Sequence, residues 1–186
     1  MLRRLLYRIV FYGWQYEIGQ GVLDDPKQVI IGFPHTSPLD GVRAVTFSIL
    51  MRLDHHVLTK QELFWFPLGY LLKWLGCIPV DRSQSQHIVQ KMADEFAKSE
   101  KFTLLISPEG TRKNLDQPHP IHTGFWHIAK AVNVPIVLLC VDNRNKIGRA
   151  FAKVMPSDSM EDDLLKIQKL YAQYGVHVEL DHQRKY

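Results

Sequence analysis

The amino-acid sequence predicts a single α/β domain, built on a mainly parallel central sheet that is flanked by helices. Short apolar runs rich in β-branched residues alternate along the chain with longer segments of helical periodicity. This alternation is typical of sheets in which helices connect neighbouring parallel strands. The 186 residues are enough to bury one hydrophobic core, and 46% hydrophobic with 23% charged residues exclude a disordered or fibrous protein.

The predicted strands and helices follow one another in a regular order. The helix at 38–51 has the clearest start, because Ser37 can cap it, Pro38 suits its first position and Asp40 places a carboxylate in its first turn. One face of the helix at 84–99 is apolar from Ile88 to Phe96. We predict strands at 28–33, 56–59, 77–80, 102–107, 135–141 and 176–180, and helices at 38–51, 61–75, 84–99, 122–132 and 159–174.

Residues 1–20 are expected to form an N-terminal helix that precedes the main domain at residues 21–186. Arginines alternate with aromatic and aliphatic side chains over residues 2–14, as they do in helices that lie at a membrane interface. A terminal helix packed on the core explains the same pattern, so both alternatives stay open. The segment has no small-residue cleavage site, and we therefore expect no signal peptide.

A second apolar segment, residues 63–75, is hydrophobic nearly all round and dense in Trp and Phe. No run in the chain approaches the roughly 18 consecutive apolar residues that a transmembrane helix needs, so we expect no membrane-spanning segment. The segment should therefore be buried in the core, or contact lipid or an acyl chain.

The cysteines and the net charge narrow the function only slightly. Cys77 and Cys140 lie in apolar surroundings without a C-x-x-C spacing, which argues against a disulfide framework or a zinc site and favours a reducing intracellular compartment. The formal net charge of +4 and the pI near 9.0 suit an anionic membrane surface, an acidic carrier protein or a phosphorylated substrate equally well. Charge alone therefore selects none of them.

A histidine and an aspartate follow the first predicted strand. His35 falls in the loop at the carboxyl end of strand 28–33, where open α/β sheets bind ligands, and Asp40 falls in the first turn of the next helix. An imidazole with a pKa near ~6.5 can take the proton of an attacking alcohol, and a carboxylate can orient the ring and stabilise the imidazolium. The spacing is also compatible with a loop histidine beside a helix-capping aspartate. No serine lies in a nucleophile elbow. We therefore expect the alcohol to attack its partner substrate directly, so that no group is first attached covalently to the enzyme.

Three further segments end predicted strands at the same edge of the sheet. Ser107 is followed by Pro108, Glu109, Gly110, Thr111 and Arg112, which together offer a close backbone approach, a hydroxyl and a planar guanidinium. Arg82 follows strand 77–80, and Lys60 follows strand 56–59. Cations that converge on one edge indicate that the substrate with the attacking hydroxyl also carries a phosphate. Each cation could instead be a solvated surface charge.

The order of these segments resembles the glycerolipid acyltransferase family, which includes glycerol-3-phosphate and lysophosphatidic acid acyltransferases. The resemblance runs from residue 29 to residue 141 and rests on four blocks in order. The blocks are His35 and Asp40 with four residues between them; the apolar stretch 76–82 that ends in Arg82; residues 108–112, Pro-Glu-Gly-Thr-Arg; and the apolar run around Pro135.

This resemblance implies a glycerol-3-phosphate acyltransferase-like fold and a 1-acylglycerol-3-phosphate O-acyltransferase activity, with residues 21–186 as the acyltransferase domain. It implies that His35 is the base and Asp40 its partner, and that segment 63–75 forms an acyl tunnel or a membrane-facing surface. The acyl donor is acyl-CoA or acyl carrier protein, with no metal or other cofactor. We expect a cytoplasmic protein that associates peripherally with the membrane surface and binds no nucleic acid. The acceptor's glycerol phosphate would contact Lys60, Arg82, Glu109, Gly110, Thr111 and Arg112.

Two departures from the family pattern leave the acceptor open. His122 stands where many relatives carry a lysine before the Thr-Gly-Phe helix start, and Thr36 to Leu39 lack the asparagine that many members have. Acylation of another lyso-lipid is the enzymatic alternative. A non-catalytic module that binds lipid or phosphate is the alternative from a different class.

Overall fold

The computed structural model describes residue 5 and residues 12–34, 38–81, 85–109 and 120–180. In chain order the strands are β1 (Gln15–Ile18), β2 (Lys27–Phe33), β3 (His55–Lys60), β4 (Cys77–Val80), β5 (Phe102–Ile106), β6 (Pro120–Ile121), β7 (Ile136–Asp142), β8 (Ile147–Val154) and β9 (Glu179–Leu180). The helices are α1 (Pro38–Met51), the 3-10 helix η1 (Gln61–Leu63), α2 (Leu68–Trp74), α3 (Ser85–Lys98), α4 (Gly124–Val132) and α5 (Met160–Ala172).

A seven-stranded sheet forms the centre of the domain, in the order β1-β8-β7-β2-β5-β3-β4. The five strands from β7 to β4 run parallel to one another. β8 is antiparallel to β7, and β1 pairs in parallel with β8. β6 and β9 form a separate parallel pair. The prediction of a single α/β domain with a mainly parallel sheet is confirmed.

Strand β2 shows why the central strands read as continuous apolar runs. Val29, Ile31 and Phe33 belong to the larger core, which α3, α4 and α5 cover. Ile30 points to the other face, where it packs in a smaller core that includes Ala44 of α1. Because both faces are covered, the alternation of polar and apolar residues typical of one-sided sheets is absent.

Most predicted elements agree with the structure to within about two residues. The helix at 38–51 and the strand at 77–80 have the expected bounds. The strand predicted at 176–180 was too long, since only Glu179–Leu180 pairs. The prediction missed β1, β6 and β8.

The single helix predicted at 61–75 was wrong. Residues in this range form η1 and then α2, separated by Phe64, Trp65, Phe66 and Pro67. Proline has no backbone N–H to donate and disfavours helical dihedral angles in the residue before it, so a helix through Phe66 is broken at Pro67. Gly69 is the buried residue of α2. It lies so close to the preceding turn that a Cβ at this position would be 2.8 Å from the Phe64 carbonyl oxygen.

The N-terminal helix expected at residues 1–20 is corrected in its second half. Residues 15–18 form strand β1, because Gln15-Tyr16-Glu17-Ile18 alternates polar and apolar side chains and pairs with β8. Trp14 is buried, and it packs with Phe47 of α1. Residue 5 is helical and exposed, but residues 1–4 and 6–11 lie outside the described residues, so the expected interfacial helix stays a prediction.

Candidate active site

The carboxyl ends of five parallel strands meet at one edge of the sheet. Phe33 pairs with Cys140, and Ile31 pairs with Ile106 two residues before Pro108. Lys60 pairs with Val80, three residues beyond the pair of Val57 and Leu105. The five strand ends therefore lie at one level. Open α/β sheets bind their ligands just outside such carboxyl ends.

Asp40 lies at this edge, in the first turn of α1. The chain leaves β2 at Phe33, and α1 begins five residues later at Pro38, so Asp40 follows the end of this strand closely in the sequence. It is only 5% exposed, which is rare for an aspartate without strong partners. His35, the expected base, lies outside the described residues, and its contact with Asp40 stays a prediction.

Two side chains hydrogen-bond to the same oxygen of Asp40. The Nη1 atom of Arg43 donates to Oδ1 at 2.9 Å, and the Nδ2 atom of Asn143 lies 3.4 Å from it. The same Arg43 Nη1 also donates to Oδ1 of Asn143 at 3.0 Å. Three polar groups from α1 and from the turn after β7 thus form one closed network.

The turn after β7 is held in place by its own aspartate. Asp142 accepts hydrogen bonds from the backbone N–H groups of Arg144 and Asn145 and from the Asn145 side chain. The bond from the backbone of Asn145 contributes most to lowering the pKa of Asp142 below its ordinary value. Asp142 therefore stays ionised and fixes the turn that presents Asn143.

Aromatic residues from the N-terminal strand complete this corner. The Arg43 guanidinium lies over the Trp14 ring, with Cζ 4.4 Å from the ring centroid. The Tyr16 ring stacks on Phe47 of α1 at a centroid distance of 5.3 Å. Beside Asp40 these rings line a cavity of about 30 Å³, which has room for one or two molecules of the size of water.

Glu109 is the second buried carboxyl group at the edge. It follows β5, the neighbour of β2, and is 7% exposed. The backbone N–H of His122 donates to the Pro108 carbonyl oxygen at 2.8 Å, which ties the entry to α4 to the turn that carries Glu109. His122, which departs from the family pattern, therefore lies beside the third sequence block.

The other predicted substrate-binding residues are only partly described. Lys60 is exposed at the end of β3. Two strand spacings of about 4.8 Å separate β3 from β2, so Lys60 lies on the order of 10 Å from the strand end that leads to His35. Arg82, Gly110, Thr111 and Arg112 lie outside the described residues, and their roles stay predictions.

The segment after Lys60 carries large apolar side chains into solvent. The side chains of four aromatic residues are between 60% and 81% exposed, and none of the described residues 61–76 belongs to a core cluster. Lys73 is exposed among them. We call this the aromatic surface; it consists of Leu63, Trp65, Phe66, Tyr70, Leu71 and Trp74.

Two buried titratable groups behind the site serve packing and not chemistry. Burial raises the pKa of the Cys140 thiol to about 11, so the thiol stays protonated. Burial also raises the pKa of Tyr171 well above its ordinary value, and the hydroxyl lies within hydrogen-bond distance of the carbonyl oxygens of Ile31 and Leu139. These groups join α5 to β2 and β7.

Among the residues that the structure describes, no three histidine, cysteine or acidic side chains come together as metal ligands. Within the same part of the chain, no helix combines the length and the apolar character needed to cross a membrane.

A comparison with protein families decides the relationship that these residues indicate. A family profile described as Acyltransferase matches residues 18–142, which contain Asp40, Glu109 and all five parallel strand ends. The chain belongs to the acyltransferase family. Sequence reasoning had reached this family through His35, Asp40 and the segments at Arg82 and residues 108–112.

Curated members of the acyltransferase family share part of the sequence. The 1-acyl-sn-glycerol-3-phosphate acyltransferase of Limnanthes alba is 30% identical over 132 residues, which cover 69% of this chain and 46% of the relative. The enzyme of that name from Escherichia coli strain K12 is 32% identical over 109 residues, 56% of this chain and 44% of the relative. The chain thus spans about half the length of the curated relatives it matches.

A solved structure shares the fold. The crystal structure of the 1-acyl-sn-glycerophosphate acyltransferase from Thermotoga maritima superposes with a TM-score of 0.65, over 94% of this chain and 76% of that chain. The two sequences are 14% identical, so the likeness concerns the fold alone.

Sequence reasoning missed three residues of this corner. Arg43 could have been found, because it lies three residues after Asp40 on a predicted helix, where side chains meet. Asn143 is 103 residues from Asp40, and no local pattern joins them. Trp14 was assigned to an expected helix, so its contact with Arg43 had no basis in the sequence.

Proposed function

We propose that the protein is an O-acyltransferase that moves a fatty acyl group from acyl-CoA or acyl carrier protein to a hydroxyl of 1-acylglycerol-3-phosphate. Membership of the acyltransferase family and the names of the curated relatives support this reaction. The observation that carries it is the buried Asp40 carboxylate at the carboxyl edge of the sheet, five residues after His35 in the sequence.

In the proposed reaction His35 is a general base. Its imidazole takes the proton of the acceptor hydroxyl while the hydroxyl oxygen attacks the carbonyl carbon of the thioester. The carbon–sulfur bond then breaks, and the imidazolium returns the proton to the departing thiolate. Asp40 orients the ring and stabilises the imidazolium. The product is a phosphate-bearing diacyl lipid, and no further cofactor takes part.

The phosphate of the acceptor binds along the same edge. Lys60 offers an exposed ammonium group at the level where β5 and β2 end, and the buried Glu109 can accept a hydrogen bond from a glycerol hydroxyl or orient a guanidinium. We assign the remaining contacts of the glycerol phosphate to Arg82, Gly110, Thr111 and Arg112, as the family resemblance implies.

The membrane surface is the proposed partner of the aromatic surface. Trp and Tyr rings favour the headgroup depth of a bilayer, and the positive charges of Lys60 and Lys73 attract anionic lipids. The aromatic surface follows directly after Lys60, so a docked protein would hold its site edge close to lyso-lipids. We therefore expect a cytoplasmic protein that binds the membrane peripherally, and we assign segment 63–75 to lipid contact in preference to an acyl tunnel.

A different lyso-lipid acceptor is the main alternative, and His122 is the observation that favours it. Its backbone lies against the turn of Glu109, at a position where a lysine would add a charge to the acceptor pocket. A half-buried histidine there binds an acceptor phosphate less strongly at neutral pH.

The test of the proposal is product identification. Purified protein is incubated with labelled acyl-CoA or acyl carrier protein and a panel of lyso-lipids, and products are identified by mass spectrometry. We expect a diacyl phosphate lipid with wild type, none with His35→Ala, and normal yield with His177→Ala, which changes an exposed histidine outside the predicted site. If the His35→Ala variant binds lipid and supports the cellular phenotype like wild type, the protein is a binding module and the enzymatic proposal is wrong.

A further inference from the structure

We propose that Arg43 is a positioning residue of the active site, which fixes the Asp40 carboxylate and moderates the negative charge that this carboxylate presents to His35. The proposal rests on the proposed function, since it assigns a role toward the His35 and Asp40 pair. Nothing in the sequence blocks of the family includes Arg43.

The geometry separates Arg43 from an ordinary surface ion pair. Its side chain is 19% exposed and that of Asp40 is 3% exposed, so water screens their attraction weakly. Salt bridges between exposed side chains contribute little, whereas a buried carboxylate that loses its cation is left uncompensated. The charge of Arg43 therefore acts directly on Asp40.

Arg43 is itself held from three sides. The helix α1 places it one turn after Asp40, Asn143 from the turn after β7 accepts its second hydrogen bond, and the Trp14 ring covers the guanidinium. A planar guanidinium can satisfy in-plane acceptors and stack on a ring at the same time, which an ammonium group cannot do. The N-terminal strand and the loop after β7 thus both contribute to the position of Asp40.

Both hydrogen bonds to Asp40 from these residues end on Oδ1. These two bonds fix the rotation of the carboxylate and therefore the direction in which Oδ2 points. A carboxylate that shares its charge with a guanidinium stabilises an imidazolium less than an isolated carboxylate does. Arg43 would therefore keep His35 neutral, and active as a base, at a lower pH.

The experiment compares Arg43→Gln, Arg43→Lys and a matched control, Arg149→Gln. Arg149 has 20% side-chain exposure, pairs with Glu17 and lies over the Tyr174 ring, so its loss removes similar contacts elsewhere. Further charged groups at the carboxyl edge, among them Asp142 from β7, Glu109 after β5 and Lys60 at the end of β3, are unchanged in every variant. The titration midpoint of His35 is read by NMR of ring-labelled histidine, with the His35→Gln variant assigning the signal, and kcat and KM are measured on the same samples.

We expect Arg43→Gln to raise the His35 midpoint by about one pH unit, and to lower kcat by on the order of tenfold with little change in the KM of the acceptor. Arg43→Lys should keep the wild-type midpoint and lose several-fold in kcat, since it keeps the charge without the planar fork. Arg149→Gln should match wild type in both measurements.

Two results would overturn the role of Arg43. One is a His35 midpoint that is the same in Arg43→Gln and wild type. The other, which applies even where Arg43→Gln does not fold, is an Arg43→Lys variant with wild-type kcat per folded molecule. If the midpoint moves as expected but wild type transfers no acyl group, the inference about Arg43 stands and the proposed function fails.

Discussion

The corner around Asp40 keeps polar groups away from water, whereas the aromatic surface exposes apolar rings to water. Both arrangements lower the stability of the fold. At the corner, a buried carboxylate is bonded to a guanidinium that is only 19% exposed. At the aromatic surface, Trp and Phe rings that could have entered the core are exposed. Since neither arrangement stabilises the fold as well as its inverse would, we propose that both regions serve function.

The largest expected effect lies at the polar corner. Asp40→Asn keeps the shape of the side chain but removes the charge that orients and stabilises the imidazolium, so kcat should fall by about 10³- to 10⁴-fold. The measurement is steady-state acyl transfer, with thermal unfolding as the control for folding. A fully active Asp40→Asn variant would contradict the catalytic role of the Asp40 charge, and the corner would then serve only the structure.

The apolar side of the comparison predicts the next largest effect. Replacing both Trp65 and Trp74 by serine should weaken binding to vesicles of phosphatidylcholine and phosphatidylglycerol by about tenfold or more, since two exposed rings no longer enter the interface. Cosedimentation measures this binding. The matched control changes Met155 and Leu165, which are also exposed, to serine. Equal binding by both double variants would contradict a lipid-facing role for the aromatic surface.

A smaller effect is expected at Lys60, which ends β3 and directly precedes the aromatic surface. Lys60→Ala should raise the KM of a phosphate-bearing acceptor by about three- to tenfold, because one exposed charge contributes on the order of 1 kcal/mol. Lys101→Ala makes the same change at the amino end of β5, on the opposite edge of the sheet, and should leave KM unchanged. An equal rise of KM for an acceptor without phosphate would contradict phosphate binding by Lys60.

The smallest effect concerns the stability of the fold and a histidine outside the predicted site, His56. The His56 ring stacks on Phe102 at 4.0 Å, and burial lowers its pKa below the ordinary value against the opposing charge of Asp54. Because the unfolded chain binds the proton more readily, this histidine makes the free energy of unfolding fall as the pH drops below ~6.5 toward the lowered pKa.

Urea unfolding between pH 8 and pH 5 measures this contribution. His56→Gln should unfold with a shallower dependence on pH, and His177→Gln, at an exposed position, should keep the wild-type dependence. A His56→Gln variant with the wild-type slope would show that the buried ring does not contribute to the acid sensitivity of the fold.

The sequence predicted the elements whose signal is local. The helix start at Pro38 and the buried run of β2 were correct because a proline that suits the first helical position and a run of continuous apolar side chains are both local signals. β1 was missed because four residues with a mixed pattern become a strand only when β8 is present beside them. The helix at 61–75 failed because its apolar pattern outweighed Pro67 in the prediction.

The candidate site could be predicted as a location and not as a network. The strand pattern placed His35, Asp40, Lys60 and Glu109 at one edge, because parallel strands share the direction of their carboxyl ends. The partners of Asp40 could not all be read in the same way, since Asn143 arrives from a distant turn. The contact of His35 with Asp40, and the roles of the residues at 82 and 110–112, stay predictions.

The most direct test of the account is the pH dependence of kcat/KM for acyl transfer by the wild-type protein. With one neutral imidazole as the essential base, kcat/KM measured from pH 8 to pH 5 should fall tenfold for each pH unit below the midpoint of the imidazole and level off above it. A value of kcat/KM that stays constant through this range would contradict general-base catalysis by His35.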